Sequence, residues 1–186
     1  MMAKRLSVII LIVILIFPCA FAAKSSYIDI DGYVNEKAWH SAKTQVLLPS
    51  TGVSNSDVDF ATAQVLFDED NHLVYLGFKV RLTTATEDLA ERGYGIRLSI
   101  NGGDFIEFTA LSADEYDIDA YNYTVGFSSD GGVRFNAEVL LGVKYGLETL
   151  ESIRVRFIDG FGIPSNAYEV DLPQLLNEQT TTALAV

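Results

Sequence analysis

Val74-Tyr75-Leu76-Gly77-Phe78-Lys79-Val80-Arg81 places Val74, Leu76, Phe78 and Val80 in one phase and Tyr75, Gly77, Lys79 and Arg81 in the other. Successive side chains of a strand point to opposite faces, so this stretch reads as a strand with one dry and one wet side. The rhythm recurs in Ile96-Arg97-Leu98-Ser99-Ile100, in Val133 to Val139 and in Ile153 to Phe157. Asp68-Glu69-Asp70-Asn71, Asn101-Gly102-Gly103-Asp104 and Ser129-Asp130-Gly131-Gly132 separate such runs with the residues that hairpin loops favour. Strands are expected near 27–30, 44–48, 59–67, 72–82, 94–100, 104–111, 121–128, 132–139, 152–159 and 166–171. Helical turns have room at 84–92 and within 140–150. Many short strands with frequent turns define an all-β fold, an antiparallel β-sandwich of immunoglobulin-like or jelly-roll type with one short N-terminal helical turn.

Outward from these strands, the chain begins as a secretory leader. Lys4 and Arg5 precede an unbroken apolar run from Val8 to Phe17, and Ala20-Phe21-Ala22 fits small-residue cleavage, which predicts a signal peptide over 1–22. The run is too short for a spanning helix. Cys19 raises lipidation, but Pro18 stands where a lipoprotein signal carries a small residue. The expected location is therefore secreted, extracellular or periplasmic. The leader carries the only Cys and both Met residues, so the mature chain can form neither disulfides nor thiolate metal sites. Methionine–histidine haem ligation is excluded with them, and His40 and His72 have no third ligand at metal spacing. The full chain carries 25 acidic and 13 basic side chains, net −12; without Lys4 and Arg5 the balance is −14. An acidic surface repels phosphate backbones and anionic lipid heads, which argues against nucleic acid or membrane partners.

Behind the leader stands Ile28-Asp29-Ile30-Asp31-Gly32-Tyr33-Val34-Asn35-Glu36-Lys37-Ala38-Trp39-His40-Ser41-Ala42. Asp31-Gly32 reads as a turn. Asn35 is placed to cap a short helical piece with Glu36 in its first turn. Ala38, Trp39 and Ala42 share a face of that piece, so the only Trp is expected to plug one end of the core. The run resembles the opening of the family 9 carbohydrate-binding modules and their DOMON-like relatives: Ile-Asp-Gly, then an acidic residue, Ala and Trp. Val65 to Val80, Tyr94 to Phe108 and Phe135-Asn136-Ala137-Glu138-Val139 are similar to later strands of that family in the same order. The resemblance implies one β-sandwich domain over 23–176 with Asp31, Gly32, Glu36 and Trp39 as its structural motif, a tail at 177–186, non-catalytic sugar binding, and structural calcium. Members of the family clamp a sugar between two aromatic side chains, commonly tryptophans. A single Trp at the core position of the motif excludes that clamp and leaves Tyr or Phe for stacking. Leu141-Gly142 also replaces the family's apolar-Pro turn.

The richest candidate site is Asp114-Glu115-Tyr116-Asp117-Ile118-Asp119-Ala120-Tyr121-Asn122-Tyr123. Asp114, Asp117 and Asp119 could converge on calcium, which takes six to eight oxygen ligands; a solvated acidic loop is the plainer reading. Tyr116, Tyr121 and Tyr123 could stack on a sugar, as could Tyr94 and Phe161 near strand ends, with half-buried packing as the alternative. Asp68, Asp70 and Asn71 read as a hairpin tip. Two functions stay open. One is a non-catalytic module binding a polysaccharide or oligosaccharide. The other is a structural or protein-interaction domain that kept the scaffold and lost the sugar site. Two-carboxylate glycoside hydrolysis gains little from acids scattered over an acidic chain.

Overall fold

The computed structural model describes residues 28–47, 56–83, 93–110, 116–118, 121–130 and 132–173, the side chains of 116–118 excepted. The expected leader at 1–22, the tail at 177–186 and the helical turn at 84–92 lie outside these residues. Among these residues ten strands follow in order: β1 Thr44–Leu47, β2 Val58–Asp68, β3 Leu73–Leu82, β4 Gly95–Ile100, β5 Ile106–Thr109, β6 Tyr116–Ile118, β7 Tyr121–Ser129, β8 Arg134–Val143, β9 Ile153–Ile158 and β10 Tyr168–Val170. They form two antiparallel sheets, β1-β2-β3-β8-β7-β6 and β10-β9-β4-β5. The fold is an antiparallel β-sandwich. No helix among the described residues is long and apolar enough to cross a membrane.

Alternation builds the interior as the sequence pattern requires. Leu76, Phe78, Phe135, Ala137, Val139 and Leu141 of the larger sheet meet Ile96, Leu98, Ile153, Val155 and Phe157 of the smaller, all fully buried. Phe78 and Phe157 pack edge to face at 5.8 Å between ring centroids, the geometry that the ring quadrupole favours. The β4–β5 connection turns at Asn101 and Gly102, both with positive φ (50° and 74°), as the central residues of a type I′ turn require, and the Gly103 amide closes the turn on the Ile100 carbonyl. Asn101 also accepts from the Glu151 and Ser152 amides and donates to the Thr149 carbonyl, so it fastens the loop before β9.

Side-chain hydrogen bonds also tie the sheets together. Gln45 on β1 donates to the Glu169 carbonyl and accepts from the Asp171 amide, across the edge where β1 meets β10. Asp159, buried at the end of β9, accepts from Asp57 just before β2 and from Phe161 and Ile163 in its own turn.

Two local expectations are corrected. Residues 28–30 do not form a strand; Ile30 lies against the outer face of β7 instead. Asn35 does not cap the helical piece: a 3₁₀ turn spans Lys37–Ser41 with Glu36 at its N-cap and no side-chain capping bond. The helical turn expected within 140–150 is present as a short 3₁₀ piece, Leu147–Thr149, after β8 ends at Val143.

Candidate functional site

The outer face of the six-stranded sheet carries a second, smaller core. Ile28, Val34, Trp39 and Tyr75 are buried there, with Leu66, Leu73 and Leu140 packed beside them. Trp39 is 2% exposed, so the indole is interior as expected. Its place is corrected: it lies under the N-terminal segment on the back of the larger sheet, not in the main core between the sheets.

One row across that sheet explains the seat. Gln64, Gly77, Glu138 and Gly126 are register neighbours on β2, β3, β8 and β7. Gly77 lies beneath the indole; a Cβ there would stand 2.7 Å from Val34 Cγ1 and 3.1 Å from a Trp39 ring carbon. Gly126 lets the Ile30 carbonyl and the Gly32 amide approach β7, and Gly32 (φ +86°) presses its own Cα face against Phe127. The polar members of the row hold the segment from both sides. Gln64 donates to the Trp39 carbonyl at 2.9 Å and the Ala42 carbonyl at 3.2 Å. Glu138, fully buried, accepts from Trp39 Nε1 at 2.9 Å, the Gly32 amide at 3.0 Å and the Asp31 amide at 3.2 Å.

Burial pushes the Glu138 carboxyl up to about 7, with the nearby Glu36 and Asp31 charges adding to the rise and the Trp39 and Gly32 N–H groups opposing it. Asp31, Glu36 and Glu138 bring carboxylate oxygens within 4.8 Å of one another, a spacing that suits a hard cation. However, every Glu138 contact named above comes from an N–H group, so the carboxylate already serves as the clasp of the opening motif. Thus Asp31, Gly32, Glu36 and Trp39 are brought together as a structural unit, and Glu138 is the partner that the sequence pattern left without a role.

Beside this clasp the same face opens into a groove of about 520 Å³. One wall is Tyr33, Val34 and Asn35 of the N-terminal segment; the floor is Phe60 of β2, Lys79 and Arg81 of β3, and Arg134 and Asn136 of β8. Tyr33 is 52% exposed, leaving an aromatic surface toward the opening. Arg81 pairs with Asp59 at 2.6 Å and lies over the Phe60 ring at 5.5 Å. Asp130 lines the rim but accepts from the Gly132 and Arg134 amides.

The tyrosines singled out in sequence are placed elsewhere. Tyr94 and Tyr123 are corrected to core residues: Tyr94 packs on Phe135 at 4.8 Å, and Tyr123 on Phe108 at 5.5 Å. Burial pushes the Tyr123 phenol up to about 12. Neither ring face is open to a ligand. Tyr121 is half-buried and accepts from Asn101 at 2.9 Å. Phe161 is exposed on the turn that Asp159 organises, outside the groove lining. Tyr116 and Asp117 lie on β6, with side chains outside the described residues, and Asp114 and Asp119 also lie outside them. The structure therefore describes no geometry for the calcium expected there.

Fold and groove together define a β-sandwich with a lateral polar–aromatic site on the back of its larger sheet. No family model, curated protein or solved structure matches the chain.

Proposed function

We propose that this protein is a secreted, non-catalytic carbohydrate-binding domain whose ligand occupies the groove beside the N-terminal clasp. The observation that carries this reading is an exposed tyrosine set against a floor of polar side chains. A pyranose presents one apolar face and a rim of hydroxyls; Tyr33 suits the first, while Asn35, Asn136, Lys79 and Arg134 suit the second. The volume falls within the range of small-ligand pockets. The resemblance of the opening motif supports the same function, with the stacking aromatic supplied by the motif's own Tyr33 and not by a second tryptophan. Among the described residues Asp130 is the one carboxylate in the lining, which favours binding over the paired-acid chemistry of glycoside hydrolysis.

Retention of the mature protein on immobilised polysaccharides tests the reading. Wild type is expected to be retarded by at least one polymer, and Tyr33→Ala to lose about tenfold in affinity, the upper end for one aromatic contact. Folded wild type that binds no polysaccharide would refute it. The protein-interaction alternative draws on β1, an edge strand whose Val46 is 50% exposed; it gains if binding is absent and Val46 is protected in a protein complex.

A further inference from the structure

We propose that the groove selects an acidic saccharide, one whose sugar units carry carboxylates; this rests on the carbohydrate-binding reading above. Among the described residues, three cations, Lys79, Arg81 and Arg134, line the groove against one carboxylate, Asp130, in a chain of net charge −12. Arg81 and Arg134 are direct register partners on β3 and β8, and like charges facing each other across a ladder destabilise a sheet. Lys79 precedes Arg81 by two residues on the same face, opposite Asn136.

Internal partners relieve only part of this charge. Asp59 neutralises Arg81, while among the described residues no ion pair engages Lys79 or Arg134. A second arginine group lies on the smaller sheet, where Arg97 and Arg156 are also register partners. There Arg97 pairs with Glu107, Arg154 faces Glu169 in register, and Arg154 and Arg156 stack on Phe105. In the groove Arg81 has the same kind of cover from Asp59 and Phe60. This leaves Lys79 and Arg134 as the lining cations without an ion pair among the described residues, beside the open face of Tyr33. A guanidinium fork binds a planar carboxylate through two parallel hydrogen bonds. An ammonium on the next same-face position can reach the same group or its neighbour. A uronate bound with its ring on Tyr33 and its carboxylate toward Lys79 and Arg134 satisfies both features at once.

The test is affinity electrophoresis or calorimetry of the mature protein with polygalacturonate, the same polymer fully methyl-esterified, neutral xylan, dextran and dextran sulfate. The expected result is binding to polygalacturonate that weakens at least tenfold on esterification, and about tenfold in Lys79→Ala or Arg134→Ala. Both side chains are exposed, and an unchanged Trp39 emission spectrum checks that each variant keeps the fold. Equal or tighter binding to the esterified or neutral polymers would overturn the acidic preference and leave the carbohydrate-binding reading intact. Binding to no polymer would overturn both. Tightest binding to dextran sulfate, insensitive to the two substitutions, would mark simple ion exchange and also overturn the proposal.

Discussion

Glu138 concentrates the chemistry of the N-terminal clasp in one side chain. Its Oε1 takes the indole N–H and its Oε2 two backbone amides, so Trp39→Phe removes one donor and leaves a buried acceptor short of a partner. A loss of about 1–3 kcal/mol follows, measured by urea unfolding at pH 7; a change below a few tenths would show that the bond contributes nothing. The carboxyl titrates near 7 in the folded chain against 4.5 as its ordinary value. Between those values the native state holds a proton that the unfolded state has released. Its contribution is therefore full below about pH 4.5 and is lost as pH rises through about 7. In Glu138→Gln that part of the pH dependence disappears, although the variant is less stable throughout because an amide NH₂ must face a donor. Parallel stability–pH curves for the two proteins would contradict the assignment. Part of this residue's role was legible: the period-two pattern put Glu138 on a wet face, and only the fold shows that the opening motif covers that face.

The N-terminal segment docks because two strands carry glycine where it touches them. Gly77→Ala drives a methyl into Val34 and the indole, and Gly126→Ala drives one into the Ile30 carbonyl at 2.5 Å. The first is an overpacking of the small core, worth about 1–3 kcal/mol. The second meets backbone that cannot rotate away, so it is the costlier of the two. Both should red-shift Trp39 emission and open residues 28–42 to protease; unchanged emission in both would show the segment is not seated on these glycines. Most strands were legible because their apolar residues alternate; β6, expected as part of an acidic loop, was not. Val74 to Phe78 of β3 is buried on both faces because the N-terminal segment covers the outer one. The same phase places Tyr94 with Ile96 and Leu98, and Tyr123 with Val125, on inward faces, which makes their core positions readable in retrospect. The segment at 28–30 misled because Ile-Asp-Ile also alternates; its neighbouring amides bond to Glu138 and not to a partner strand. The groove was not legible from period alone. Lys79 and Arg81 belong to β3 and Arg134 and Asn136 to β8, and nothing local announces that these two strands are neighbours.

For the molecule as a whole, the two sheets are joined by apolar burial and by the ties at Gln45 and Asp159. Asp159 is the stronger tie, since it is buried and holds three backbone amides from two sheets' connections. Asp159→Ala leaves those amides without their acceptor and should cost about 2–3 kcal/mol or more. It should also make the turn bearing Phe161 a preferred cleavage point in limited proteolysis. Wild-type stability in this variant would mean that the amides find other acceptors.

The groove's wall comes from residues 33–35 and much of its floor from residues 134–136. During synthesis these pieces leave the ribosome far apart in time. The segment carrying the earlier one meets Gln64 of β2 and Gly77 of β3 first and gains its Glu138 acceptor only when β8 has emerged. A nascent chain stalled ahead of Arg134 therefore carries an unfinished groove, and the cavity is complete only once β8 has been made.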